Sequence, residues 1–449
     1  MKKVFLPLVI VAVVFSACKK NYDHVFDQSP DERINAAINS YTSTLTGAAN
    51  GWKAFIKTDS GKGSTYSFYF KFSTDNRVKM FSDFDSASAV TSQESSYRLK
   101  AQQQPTLIFD TYSYVHVLAD PNESVVLTDN FVLFSDVNHG PIGKGLLSDF
   151  EFIIDNAKIK TDTIELTGKV HNTRLILVRA TKPEEDAYNS GQLGAGLLIN
   201  NILNYFKRLT IGSQLYDIRI DPLSRTFTFS WLDAGGNLQT FTTGYYFLAG
   251  SIVFTKPLVN GSQTISGFND ITWTQATQTV NLTVNNTAAT IKGIVVPLKV
   301  DLTAPQRWYQ YGVTNDNYWI SITGFHVNGV DDAFGLHSLA TGGNTYYYTI
   351  YWPKYGTTND LFAPVFLNAA QTGLTLLYAT APKIPTFTAD GRAIFIQLGN
   401  YGTYPSTGPA ALTKAQLYNP AGYYFVQTDA TTYDMVSALD GKAWITWFF

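Results

Sequence analysis

From Trp52 onward the pattern of apolar positions takes a period of two. Tyr66, Phe68, Phe70 and Phe72 alternate with Ser67, Tyr69 and Lys71. Val78 and Met80 resume the alternation after Thr74-Asp75-Asn76. A period of two puts one set of side chains on one face of a strand, so this stretch predicts a β-hairpin. Further strands are predicted at 97–101, 106–118, 124–134, 150–154 and 164–178, with turns at Asp120-Pro121 and Asn138-His139-Gly140. His116 falls inside the second of these runs (106–118) and reads as a core histidine of a strand.

The period lengthens in two places. Ile34, Ile38, Tyr41 and Leu45 repeat at helical spacing behind Ser29-Pro30-Asp31-Glu32. Ser29 supplies a cap, Pro30 fits the first turn, and Glu32 completes a capping box. Gly47 or Gly51 ends this helix. A second helix is predicted from Pro183-Glu184-Glu185-Asp186, with Leu198, Ile202, Tyr205 and Phe206 on one face and Lys207 and Arg208 at its negative end. Strands follow at 215–220, 226–232, 238–242, 251–254, 270–274 and 279–284. Helix then strands, twice, suggests a duplicated unit. Leu147-Ser148-Asp149-Phe150-Glu151-Phe152 echoes Ile265-Ser266-Gly267-Phe268-Asn269-Asp270.

Thr303-Ala304-Pro305 marks a boundary. Beyond it lie five of the eight tryptophans, Trp308, Trp319, Trp352, Trp444 and Trp447, among short strand signals broken by Pro and Gly. The predicted fold is mainly β with a few helices: two helix-plus-β-sheet units, 29–182 and 183–302, then an all-β unit at 303–449, barrel- or sandwich-like.

Composition sharpens this picture. Aromatics are 14% of the chain, which favours pleated, half-buried surface. Charged residues are 15%, against about 25% in a typical soluble chain. With a net charge of −2 and no basic stripe, nucleic acid is not the expected partner. Residues 4–15 form an apolar run behind Lys2 and Lys3. The run is too short to span a bilayer, which takes roughly 20 residues. Phe15-Ser16-Ala17-Cys18 then reads as a lipobox, and Cys18 is the only cysteine. The expectation is a signal peptide at 1–17, acylation of Cys18 (palmitate or a similar chain), and a tether at 18–28. Two or three acyl chains hold a protein to a bilayer stably.

Several fragments match a known pattern. They are the lipobox, Asp31-Glu32-Arg33, Asn50-Gly51-Trp52, the run from Pro105 to Tyr112, Ser148-Asp149-Phe150-Glu151-Phe152, and Gly391-Arg392-Ala393-Ile394-Phe395. Together they resemble the outer-membrane lipoproteins grouped as domain of unknown function 4302, over nearly the whole mature chain. The resemblance implies a Gram-negative outer-membrane location and a setting beside nutrient-uptake proteins. It carries over no catalytic residue.

Candidate chemistry is sparse. The six histidines make no H-E-x-x-H. His326, Asp331, Asp332 and His337 fit no ligand spacing and read as a solvated loop. Asp83, Asp85 and Glu94 touch a calcium-loop template, but Ala87 and Ser88 occupy positions that need a ligand and a glycine. Gly61-Lys62-Gly63 lacks the upstream glycine of a phosphate loop. No metal and no cofactor is expected. The remaining signal is aromatic: Tyr346-Tyr347-Tyr348 and Tyr351-Trp352, just before Pro353, with Tyr355 just before the polar stretch 356–360. Trp352, Tyr351, Tyr355 and Trp319 are the candidate ligand-binding residues, as flat rings for a glycan or peptide. The reading is a lipid-anchored, non-catalytic binding component of an outer-membrane uptake system. A glycan-directed hydrolase whose paired carboxylates meet only in the fold and a structural envelope component remain open alternatives.

Overall fold

A computed structural model describes residues 29–58, 64–101, 104–122, 143–222 and 224–449. Cys18, the tether, the strand expected at 124–134 and Gly61-Lys62-Gly63 lie outside the described residues. The chain is mainly β and is organised around three sheets.

The first sheet is a closed barrel of eight antiparallel strands in chain order. They are β1 (Trp52–Lys57), β2 (Thr65–Phe72), β3 (Arg77–Ser82), β4 (Gln93–Ala101), β5 (Pro105–Phe109), β6 (Glu151–Ile159), β7 (Thr163–Gly168) and β8 (Arg174–Arg179). The barrel closes where β1 meets β8, with Trp52 opposite Arg179. Tyr66, Phe68, Phe70 and Phe72 all turn inward and are buried, as their alternation predicted. Phe70, Phe109 and Phe152 fill the lumen, so this barrel is packed rather than hollow. The helix Pro30–Thr46 runs ahead of β1. Ser29 and Glu32 exchange their bonds there as a capping box.

The second sheet repeats this plan. Its strands are β9 (Phe206–Ile211), β10 (Gln214–Asp221), β11 (Thr226–Leu232), β12 (Leu238–Leu248), β13 (Ser251–Asn260), β14 (Gln263–Thr274), β15 (Thr279–Val284) and β16 (Thr287–Ile294). They also follow chain order, and β16 pairs with β9 to close the barrel. The echoed sequences at 147–152 and 265–270 fall at the sixth strand of each barrel, β6 and β14, and both strands carry a register irregularity.

Three expected elements differ. The strand expected at 164–178 is two, β7 and β8, which turn back and pair antiparallel with each other. The second helix is short, Lys182–Asn189. The segment Gln192–Asn201 is a 3₁₀ helix, and Phe206, Lys207 and Arg208 open β9 instead of ending a helix. Gly191, at φ 78°, breaks the α-helix. The expected strand through His116 ends at Phe109. Residues Tyr114–Val117 form one helical turn, in which the Ser113 amide donates to His116 Nδ1 at 3.1 Å. His116 is nonetheless buried.

The third sheet is open, with 13 strands, and its path runs from Thr386–Phe387 to Gln397–Tyr401. Expected as all-β, this unit also holds two helices, Ala304–Asn315 and Gly408–Leu417. Thr303-Ala304-Pro305 is thus a helix start, with proline in the first turn. Trp308 on the first of these helices touches Trp319, Tyr351, Phe395, Phe425 and Trp447, whose rings lie on or beside well-separated strands. The sheet therefore curves around the helix, and its concave face is the core.

Candidate functional site

The strand Asn344–Trp352 has two unlike faces. Tyr351 points at the helix and is fully buried against Trp308 at 4.9 Å. Tyr348, Ile350 and Trp352 belong to the opposite, outer face, where they pack with Tyr318 and Tyr347. Alternation along one strand decides which ring can meet a ligand.

Four rings form a continuous strip on that outer face. Tyr318 lies 5.2 Å from Trp352, Trp352 lies 5.3 Å from Tyr355, and Tyr355 lies 5.6 Å from Tyr401. Tyr355 is 46% exposed and Tyr401 38%. Trp352 and Tyr318 are half-buried. The rings meet tilted or edge-on, the arrangement their quadrupoles favour. Amides adjoin them: Asn359 Nδ2 donates to the Tyr401 hydroxyl at 2.8 Å, and Gln397 Nε2 donates to Asn400 Oδ1 at 2.9 Å.

The turn after Trp352 is held from beneath. Asp360 is buried and accepts the Tyr309 hydroxyl at 2.9 Å, the Tyr351 hydroxyl at 2.5 Å and the Lys354 amide at 2.7 Å. Burial pushes its carboxyl up, and these hydrogen bonds oppose that push. Burial also raises both phenols well above their ordinary value, so they stay protonated donors. Lys354 sits at φ 52°, where the Asp360 contact to its amide fixes it. Gly312 lets the helix approach this turn: a side-chain carbon there would stand 2.8 Å from Pro353 and 3.2 Å from Trp319.

Of the four sequence candidates, the structure brings together Trp352 and Tyr355. Trp319 and Tyr351 are corrected to core residues, because the helix Ala304–Asn315 covers the face they occupy. Tyr318, Tyr401, Asn359 and Asp360 were missed. Tyr318 had a usable signal, since it precedes a core tryptophan in a strand and must face the other way. Tyr401 arrives from a strand distant in sequence and had none.

The weaker motifs separate in space. His326 pairs with Asp331, and His337 with Asp332, as two independent pairs. Asp83 is paired with Arg225, Asp85 caps the short helix Ser86–Val90, and Glu94 lies beside Arg77 on the neighbouring strand. Among the described residues no three of His, Cys, Asp and Glu gather as a metal site, and no helix is long and apolar enough to cross a membrane.

Fold and site together define a three-sheet β-barrel protein with an aromatic strip on its third sheet. The chain belongs to the family described as Domain of unknown function (DUF4302), whose model matches residues 22–275. That match spans the first barrel and the second through β14. It is narrower than the near-complete coverage that the sequence fragments implied, and it stops short of Gly391–Phe395. A search of curated proteins finds no match. Among solved structures, the DNA polymerase sliding clamp from Pseudomonas aeruginosa is 8% identical, with 92% of this chain and 97% of that chain covered and a TM-score of 0.15. The transferrin binding protein B from serogroup B Neisseria meningitidis is 9% identical, with 88% and 65% covered and a TM-score of 0.13. Scores this low establish no common fold.

Proposed function

We propose that this protein is a non-catalytic glycan-binding component of the cell envelope, acylated at Cys18 and serving an outer-membrane nutrient-uptake system. The observation that carries the binding reading is the strip Tyr318–Trp352–Tyr355–Tyr401, anchored from beneath by Asp360. Its chemistry is uncharged rings flanked by side-chain amides, which suits the apolar faces and hydroxyls of sugar rings. The lipobox and the family resemblance support the location.

The test is calorimetry of the full chain against neutral oligosaccharides found in a glycan-array screen. Trp352→Ala and Tyr355→Ala should each weaken binding several-fold, since a stacked ring contributes about 0.5–1.5 kcal/mol beyond its area. An array with no hit, or a hit whose affinity neither variant changes, overturns the assignment. Cys18→Ala, followed by cell fractionation, tests the anchor. The variant should leave the membrane fraction.

A further inference from the structure

A cleft of about 560 Å³ opens between the second barrel and the third sheet. That volume is in the range of small-molecule sites. On the barrel side, Arg219 on β10 and Thr228 and Ser230 on β11 point away from the lumen, by the alternation that sends Tyr216, Ile218, Phe227 and Phe229 inward. Arg219 stands directly opposite Thr228. The other wall is the strand Tyr423–Asp429, with Thr428 among its lining residues, and the connection through Lys299 also lines the cleft.

The charges in this cleft do not cancel. Asp217 is paired with Arg208 at 2.8 Å and Asp301 with Arg307 at 2.8 Å. Among the described residues, three lining cations, Lys207, Arg219 and Lys299, form no salt bridge; Arg219 hydrogen-bonds the Tyr205 hydroxyl and is drawn toward Asp434, which leaves its other N–H groups for a ligand. Against them stand Asp429 on the rim and Asp434 behind Tyr205, and Asp434 already accepts the Tyr205 and Thr446 hydroxyls. The Lys207 amine donates to the Asn204 carbonyl at 2.7 Å, and burial lowers its pKa to about 8. A surplus of positive charge in a partly enclosed cleft draws an anion.

We propose that this cleft binds a small organic anion with a hydroxylated body, its acid group on Arg219 and Lys299 and its hydroxyls on Thr228, Ser230 and Thr428. The site is separate from the aromatic strip and does not rest on it. Calorimetry of the full chain would use digalacturonic acid and glucose 6-phosphate, with maltose as the uncharged control. Saturable binding of one acid but not maltose is expected, and which acid binds identifies carboxylate or phosphate as the recognised group. Arg219→Gln and Lys299→Gln should each weaken it roughly tenfold or more, as loss of a charge-assisted hydrogen bond does. Lys299 is exposed, so its variant keeps the test valid if the arginine variant misfolds. Trp352→Ala should leave this binding unchanged. Absence of saturable binding for both acids, equal affinity for maltose, indifference to both cleft variants, or loss in Trp352→Ala overturns the proposal.

Discussion

Neighbouring residues of one strand carry opposite roles in this protein. Tyr351 is fully buried against Trp308, whereas Trp352 lies half-buried on the outer face. Truncating a buried aromatic costs about 3–5 kcal/mol, because both the transfer energy and a cavity are lost. Tyr351→Ala should therefore lower the thermal midpoint sharply and Trp352→Ala only slightly. Equal drops in a calorimetric melt would return Trp352 to the core and remove the strip. Asp360 admits a separate test. Asp360→Ala strands two buried phenols, at about 1–3 kcal/mol for each unsatisfied donor. It should also loosen the Lys354 turn, so that binding at the strip weakens along with stability. A variant with unchanged midpoint and affinity would show that Asp360 does not position the turn.

At the scale of elements, the helix Ala304–Asn315 decides what its sheet exposes, and its start is fixed by charge. Asp301 accepts the Thr303 amide at 3.0 Å and both Arg307 Nη atoms, at 3.1 and 2.8 Å. The Arg307 guanidinium, first among the causes, holds the Asp301 carboxyl down at about 2. An unfolded aspartate titrates near 3.9. The folded state thus binds fewer protons between those values. The stabilisation is present above about pH 3.9 and disappears as pH falls through about 2. Thermal melts of wild type and Asp301→Asn should differ near pH 5 and converge toward pH 2. A constant gap across that range would mean that Asp301 ionisation contributes nothing. Local pattern made much of this level legible. The Ser29 capping box and the inward set Tyr66, Phe68, Phe70 and Phe72 follow from spacing alone. What sequence could not supply was the second face. Ser67 and Tyr69 look solvent-facing by alternation, yet both are buried, because Tyr69 stacks on Tyr188 at 4.9 Å and an element from far along the chain covers it. The binding strip has the same character. Trp352 was legible as a strand-end aromatic, but choosing it over Trp319 required knowing which face the helix occupies.

At the scale of the whole molecule, the units meet through buried polar contacts as well as apolar ones. Tyr205 at the start of β9 meets Trp444 edge-on at 5.4 Å and donates to Asp434 at 2.5 Å, tying the second barrel to the third sheet. Between the barrels, Asp83 at the end of β3 reaches Arg225 at the start of β11, and both are buried. Asp83 also accepts the amides of Ser67 at 3.1 Å and Phe247 at 3.2 Å, so it ties β2 and β3 of one barrel to β11 and β12 of the other. Arg225 lies over Tyr66 at 4.6 Å and over Tyr245 at 5.3 Å, one ring from each barrel. Burial pushes the Asp83 carboxyl up, while the guanidinium and the two amides pull it back toward the charged form. Breaking such a pair costs more than the pair contributes, since the partner is left as an uncompensated buried charge. Arg225→Ala should destabilise the chain by about 3–5 kcal/mol in chemical denaturation. Adding Asp83→Asn to Arg225→Met removes both charges while largely keeping volume, so the double variant should be more stable than Arg225→Met alone. That ordering separates electrostatics from packing. If the double variant is less stable than Arg225→Met by the full cost of Asp83→Asn, the two residues act independently, and their ion pair does not hold the barrels together.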